Sequence, residues 1–100
     1  MTKNKTINGS FFFDPQDPIY NVHFPSFPVV PGSLIIDAFF KAMKKILPTN
    51  SKIIIKNFKF IKFVKPGSCD YIIEQFNTNW KCQLFQNEKL VAKGKITYAA

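Results

Sequence analysis

One hundred residues are enough for one domain with a modest core, and a composition that is 46% hydrophobic with 12 phenylalanines excludes a disordered chain. The net charge is +8, and all 14 of the Lys-plus-Arg residues are lysine, so the arginine forks that read bases and phosphates are missing and nucleic acid is an unsuitable partner. No apolar run reaches the roughly 18 residues of a membrane span, and "MTKNKTING" lacks the apolar stretch of a signal peptide, which places the chain in the cytoplasm as an expectation.

In chain order, "TINGSFFF" (6–13) reads as a first strand with a Gly-Ser irregularity. Residues 14–32 hold Pro15, Pro18, Pro25, Pro28 and Pro31, which forbid a helix or a central strand. Phe24, Phe27, Val29 and Val30 make this segment too apolar for a linker, so an ordered, packed loop is expected. The bonds Phe24-Pro25, Phe27-Pro28 and Val30-Pro31 are each candidates for the cis isomer. "SLIIDAFFKAMKKIL" predicts a helix over 33–47 with Ser33 as N-cap. Its apolar residues cover most of the circumference, interrupted only by Asp37, Lys41, Lys44 and Lys45, as in a buried helix. "KIIIKNFKFIKFV" (52–64) is a long strand whose alternation slips near Asn57 and near Ile61, which predicts a bulge. Strands over 69–76, 80–86 and 90–98 follow, joined by short turns. One helix and one antiparallel sheet make an α+β fold over a single domain, 1–100, with the four later strands expected as a meander and the sheet wrapped around the helix. So many phenylalanines on so small a domain predict an apolar face that a partner subunit covers.

Cys69 and Cys82 have neither redox-motif nor zinc-site spacing and read as reduced, buried side chains. The single histidine, His23, lies in the proline-rich apolar segment, with the carboxylate of Asp37 fourteen positions later. By residue type alone, such a histidine reads as structural, its ring nitrogens bonded to nearby carbonyls, and Asp37 has Lys41 one turn on as an ion-pair partner. The lysines read either as a solvated basic surface or as a surface for an acidic protein.

The segment "HFPSFPVVPGSLIIDA" resembles the active-site segment of the hotdog-fold 3-hydroxyacyl-(acyl-carrier-protein) dehydratases, whose pattern runs H-F-x-G-x-P-x-M-P-G-x-L-x-x-[E/D]-A. His23, Phe24, Pro28, Pro31, Gly32, Leu34, Asp37 and Ala38 fall in register with it. "NFKFIKFVKPGS" and "KLVAKGKITY" resemble two of that family's strands. Val22, Ser26 and Lys41 stand where the family has Gly, Gly and Gln.

The resemblance implies a hotdog fold and the elimination of water from a 3-hydroxyacyl thioester held on acyl carrier protein by a phosphopantetheine arm. It implies His23 as the base at Cα, with a pKa suited to proton transfer near neutrality, and Asp37 as the group that orients or protonates the leaving hydroxyl. The backbone N–H of Gly32, at the start of the helix, would polarise the thioester carbonyl, a contribution of roughly 2.7–4 kcal/mol in such sites. Phe24, Pro31, Leu34 and Phe40 would line the acyl tunnel, and Lys59, Lys62 and Lys65 would attract the acidic carrier. The family builds its site between two subunits, here a homodimer, a heterodimer with another hotdog subunit or a larger oligomer, and needs no metal and no cofactor. Two rival readings share the fold: a catalytically weak subunit that supports a heterodimer or binds acyl chains, and a hotdog thioesterase.

Overall fold

The computed structural model describes residues 5–22 and 26–99. Its elements are β1 (Thr6–Phe13), a short 3-10 turn (Pro18–Asn21), α1 (Gly32–Ile46), β2 (Lys52–Phe60), β3 (Gly67–Phe76), β4 (Asn79–Gln86) and β5 (Lys89–Ala99). The strands form one antiparallel sheet in the order β1-β3-β4-β5-β2. The α+β hotdog expectation holds, but the four-strand meander does not. Only β3, β4 and β5 follow one another; β2 crosses to the far side and pairs with β5. The two hairpins are tight because asparagine tolerates the left-handed backbone: Asn77 has φ 58°, and Asn87 and Glu88 have φ 53° and 64°, both positive as a two-residue hairpin turn requires.

Alternation decides which residues of each strand meet the helix. Ile73, Cys82, Leu84, Ala92 and Ile96 point inward and are buried, and they pack with Ile35, Phe39 and Met43 of α1 in one core. Phe39 is the hub: the Phe11 ring meets it edge-on at 5.0 Å, and Tyr71 and Phe58 lie at 6.0 and 5.7 Å. β1 shows no irregularity at Gly9-Ser10, because its register with β3 is unbroken from Thr6 to Phe13. Gly9 has a different cause. Its cross-strand partner is Tyr71, and a Cβ there would lie 2.4 Å from the tyrosine oxygen.

The helix begins one residue earlier than expected, and Ser33 is not its cap. Pro31 occupies the N-cap position in an extended conformation, and its carbonyl accepts from the N–H groups of Leu34 and Ile35. A single chain buries only one stripe of α1, Ile35, Phe39 and Met43, so the expectation of burial nearly all round is not met within one subunit. β2 ends at Phe60, short of the expected Val64. Its register with β5 slips between Lys56 and Lys59, at Asn57 (φ 55°), and past Phe60 the N–H groups of Ile61 and Lys62 share the Val91 carbonyl. The chain then swings away, and the Val64 carbonyl accepts from Val30 N–H at 2.8 Å.

That bond ties the proline-rich segment to the sheet. Tyr20 and Val30 are buried as a packed loop requires, while Phe27 is 53% exposed, against expectation, and edges onto the still more open Phe63. Phe27-Pro28 and Val30-Pro31 are trans; Phe24-Pro25 lies outside the described residues. Cys69 and Cys82 are free and buried, as expected. Burial pushes their thiols up to about 11 and about 12, respectively, with the Asp70 charge adding to the effect at Cys69. No helix among the described residues is long and apolar enough to cross a membrane.

Candidate active site

Asp37 sits on the second turn of α1, away from the Phe39 stripe, with its side chain 48% exposed. One oxygen, Oδ2, pairs with Lys41 Nζ at 2.9 Å, the contact that helical i,i+4 spacing dictates. The carboxylate opens onto a pocket of about 280 Å³ bounded by Leu34 and Ala38 on the helix, Phe12 and Phe13 at the end of β1, and Tyr20 on the 3-10 turn. A second hollow of about 460 Å³ shares Phe12, Phe13, Ala38 and Lys41 with the first, and continues between β1 and α1 past Phe11, Ala42 and Ile46. Together they make a trough whose head carries three acids, Asp37, Asp14 and Asp17, beside Lys41, and whose floor turns apolar as it runs along the uncovered flank of the helix, with Lys45 at its edge.

His23 and Phe24 lie outside the described residues. Of the remaining residues singled out in the sequence, Leu34 shares the Asp37 pocket, whereas Phe40 faces a separate hollow of about 540 Å³ at the C-terminal end of α1, with Leu47, Pro48 and Ile53. Pro31 and Gly32 form the start of the helix, where the first N–H groups have no intrahelical acceptor. Gly32 is pressed by a neighbour: a Cβ there would come within 2.7 Å of the Phe60 ring. Lys59, Lys62 and Lys65 are all exposed. Lys59 lies opposite Lys93 in the sheet. Lys65 is on the loop after β2, where Gln86 clamps the backbone by accepting from Lys65 N–H (2.9 Å) and donating to Lys65 O (2.8 Å). Lys65 also borders a hollow with Pro15, Phe27 and Pro28, which puts it beside the proline-rich loop.

Tyr20 and Phe60 went unnoticed in the sequence. Burial, followed by the charges of Asp17 and Asp14, raises the Tyr20 hydroxyl above its ordinary range, so it stays a neutral O–H donor at the pocket wall. Its sequence signal is slight, one tyrosine three residues after an acid that caps its turn by accepting from Ile19 N–H. Among the described residues no group of His, Cys, Asp and Glu could hold a metal ion.

A family model described as ApeI-like, ApeI dehydratase, matches residues 1–95. A 3-hydroxyacyl-[acyl-carrier-protein] dehydratase of Lawsonia intracellularis is 35% identical over 97% of this chain and 69% of its own length. The enzyme of the same name from Lactiplantibacillus plantarum is 40% identical over 67% of this chain and 46% of its own. Among solved structures, the dehydratase heterocomplex ApeI:P of Xenorhabdus doucetiae superposes with a TM-score of 0.79 at 19% identity, covering 98% of this chain and 95% of that one.

Proposed function

The chain belongs to the ApeI-like dehydratase family, and from that premise we propose that it removes water from a 3-hydroxyacyl thioester on acyl carrier protein, giving the trans-2-enoyl thioester, in the cytoplasm. The observation that carries this reading is Asp37 standing, with Asp14, Asp17 and Lys41 nearby, at the polar head of a trough that continues past Phe11, Ala42 and Ile46. A carboxylate beside a greasy slot suits a substrate with one polar reacting end and a long tail.

The chemistry follows from the bonds to be broken. His23 of one subunit takes the Cα proton, and the electron pair becomes the Cα=Cβ double bond. The Cβ–O bond breaks, and the hydroxide leaves as water with a proton supplied through Asp37 of the other subunit. Oδ2 of Asp37 is engaged by Lys41, which leaves Oδ1 to meet the substrate hydroxyl. Negative charge on the thioester oxygen is met by the N–H of Gly32, a donor without an intrahelical acceptor at the positive end of the helix. The acyl tail lies in the trough against Phe11, Leu34, Ala42 and Ile46, away from water. Lys62 and Lys65, on the loop after β2, attract the acidic carrier, an effect mainly on association rate and sensitive to salt; Lys59 stands apart from them, opposite Lys93.

A partner subunit is part of this reading. Support comes from the uncovered flank of α1, the exposed Phe12, Phe60, Ile61 and Phe63, and the two unpaired sheet edges, β1 and β2. The heterocomplex among the neighbours and the Lys41 ammonium held on Asp37 favour one alternative, a supporting subunit that is active only beside a second hotdog chain.

Purified chain is incubated with a 3-hydroxyacyl-carrier thioester, and the product is followed by mass and by ultraviolet absorbance. Enoyl product that is lost in both His23→Ala and Asp37→Asn, with folding intact, supports the enzyme. Turnover only after another hotdog subunit is added means the supporting role. Release of free acid means a thioesterase and overturns the proposal.

A further inference from the structure

The face of the sheet turned away from α1 carries a feature that the dehydratase reading leaves unused. Between the buried Cys82, Leu84, Ala92 and Ile96 stand the exposed Lys81, Lys93 and Lys95, so these lysines point away from the core. The register sets them against one another. Lys95 lies between Lys56 on β2 and Lys81 on β4, and Lys59 lies opposite Lys93. Like charges directly opposite each other weaken a sheet, yet here they occur in two adjacent rows. None of these lysines has an ion pair, since the only one among the described residues joins Asp37 to Lys41. Glu74, opposite Lys81, closes one row, and Asp70, exposed on the same side of β3, lies outside both rows and accepts from the Ser10 hydroxyl at 2.9 Å. A shallow hollow of about 370 Å³ runs between Asn57, Lys59, Lys81, Lys93 and Lys95.

We propose that this lysine face binds the anionic surface of a lipid bilayer. Three features select that occupant. The patch is on the opposite side of the sheet from Asp37, so a carrier docked on it would hold its cargo on the wrong face. Its hollow is lined by Asn57, Gly94 and lysines, with the apolar Ile54 and Ile72 only at the margins, whereas protein interfaces are built around an apolar centre and are depleted in lysine. It also has neither arginine to fork onto phosphates nor an outward aromatic ring among the lysines on which a base could stack. A membrane surface needs only a cluster of basic residues, each adding a similar increment of binding. A second chain added at the β2 edge would carry the patch across the seam.

The full-length protein is sedimented with vesicles of phosphatidylcholine alone and of phosphatidylcholine with about 30% phosphatidylglycerol, in low and high salt. Binding to the anionic vesicles only, abolished by 0.5 M salt, is the expected result. Lys81→Glu/Lys93→Glu/Lys95→Glu lowers that binding by about a hundredfold or more, while Lys44→Glu/Lys45→Glu on the helix retains it. Dehydratase turnover of the triple variant is unchanged, which separates this proposal from the catalytic one. Equal binding to both vesicle types, no binding to either, or retention by a duplex DNA but not by anionic vesicles overturns it.

Discussion

The two faces of the sheet obey different rules. Toward α1, side chains interlock: Phe11 stacks on Tyr71 at 4.3 Å and turns its edge to Phe39, and Gly9 and Gly94 are small because rings of Tyr71 and Phe58 need their space. Away from α1, Lys56, Lys95 and Lys81 face each other with no acid within ion-pair distance. Packing explains the first face completely and explains nothing of the second. Where a sequence tolerates a stability cost that folding does not require, an external ligand is the economical cause.

The sharpest way to break that contrast is at the carboxylate. Asp37→Asn should lower kcat/KM by roughly a hundred- to ten-thousand-fold, the range for a group that handles a proton in the reaction, with the melting temperature almost unmoved because the side chain is half exposed. Phe39→Ala should act the opposite way. The ring is fully buried, so its loss should cost about 3–5 kcal/mol in urea unfolding and weaken activity only through the fold. Gly94→Ala should cost about 1–3 kcal/mol, since its Cβ would meet the Phe58 ring at 2.3 Å. The buried thiols give a pH test. Their folded values are raised to about 11 and about 12 from an ordinary 9.0, so the folded state holds protons that the unfolded state releases. Stability should therefore be constant below about pH 9 and fall as the pH rises from there towards 11–12, a fall that Cys82→Ser should blunt. The smallest effect belongs to the outer face. Lys95→Glu places an acid between Lys56 and Lys81 and should raise stability by about 0.2–1 kcal/mol, read as a higher urea midpoint with turnover unchanged.

The strands were legible because local alternation is strong. Those expected at 6–13, 69–76, 80–86 and 90–98 differ from the observed ones by two residues at most. The bulge at Asn57 was legible in the slip of alternation there, and the readiness of asparagine to take a positive φ is its physical cause. What stayed hidden depends on residues far apart in the chain. Nothing within 52–64 says that β2 pairs with β5 rather than β3, and lysines 56, 81 and 95 become neighbours only once the register is known. Ser33 misled because a good capping side chain stood beside Pro31, whose fixed φ near −60° fits the N-cap position and left the serine inside the helix. At the site, the Asp37–Lys41 pair followed from helical spacing alone, whereas Tyr20 and Phe60 reached the neighbourhood of the helix start from separate segments. The convergence of His23 with Asp37 belongs to the proposal, since His23 lies outside the described residues.

The ring of Phe60 resting on Gly32 has a mechanical consequence. Phe60 is the last residue of an outer strand with one free side, and Gly32 is the first residue of the helix. A push on that strand from a docking neighbour is thus delivered, through one stiff aromatic plate, to the amide proposed to steady the reacting carbonyl.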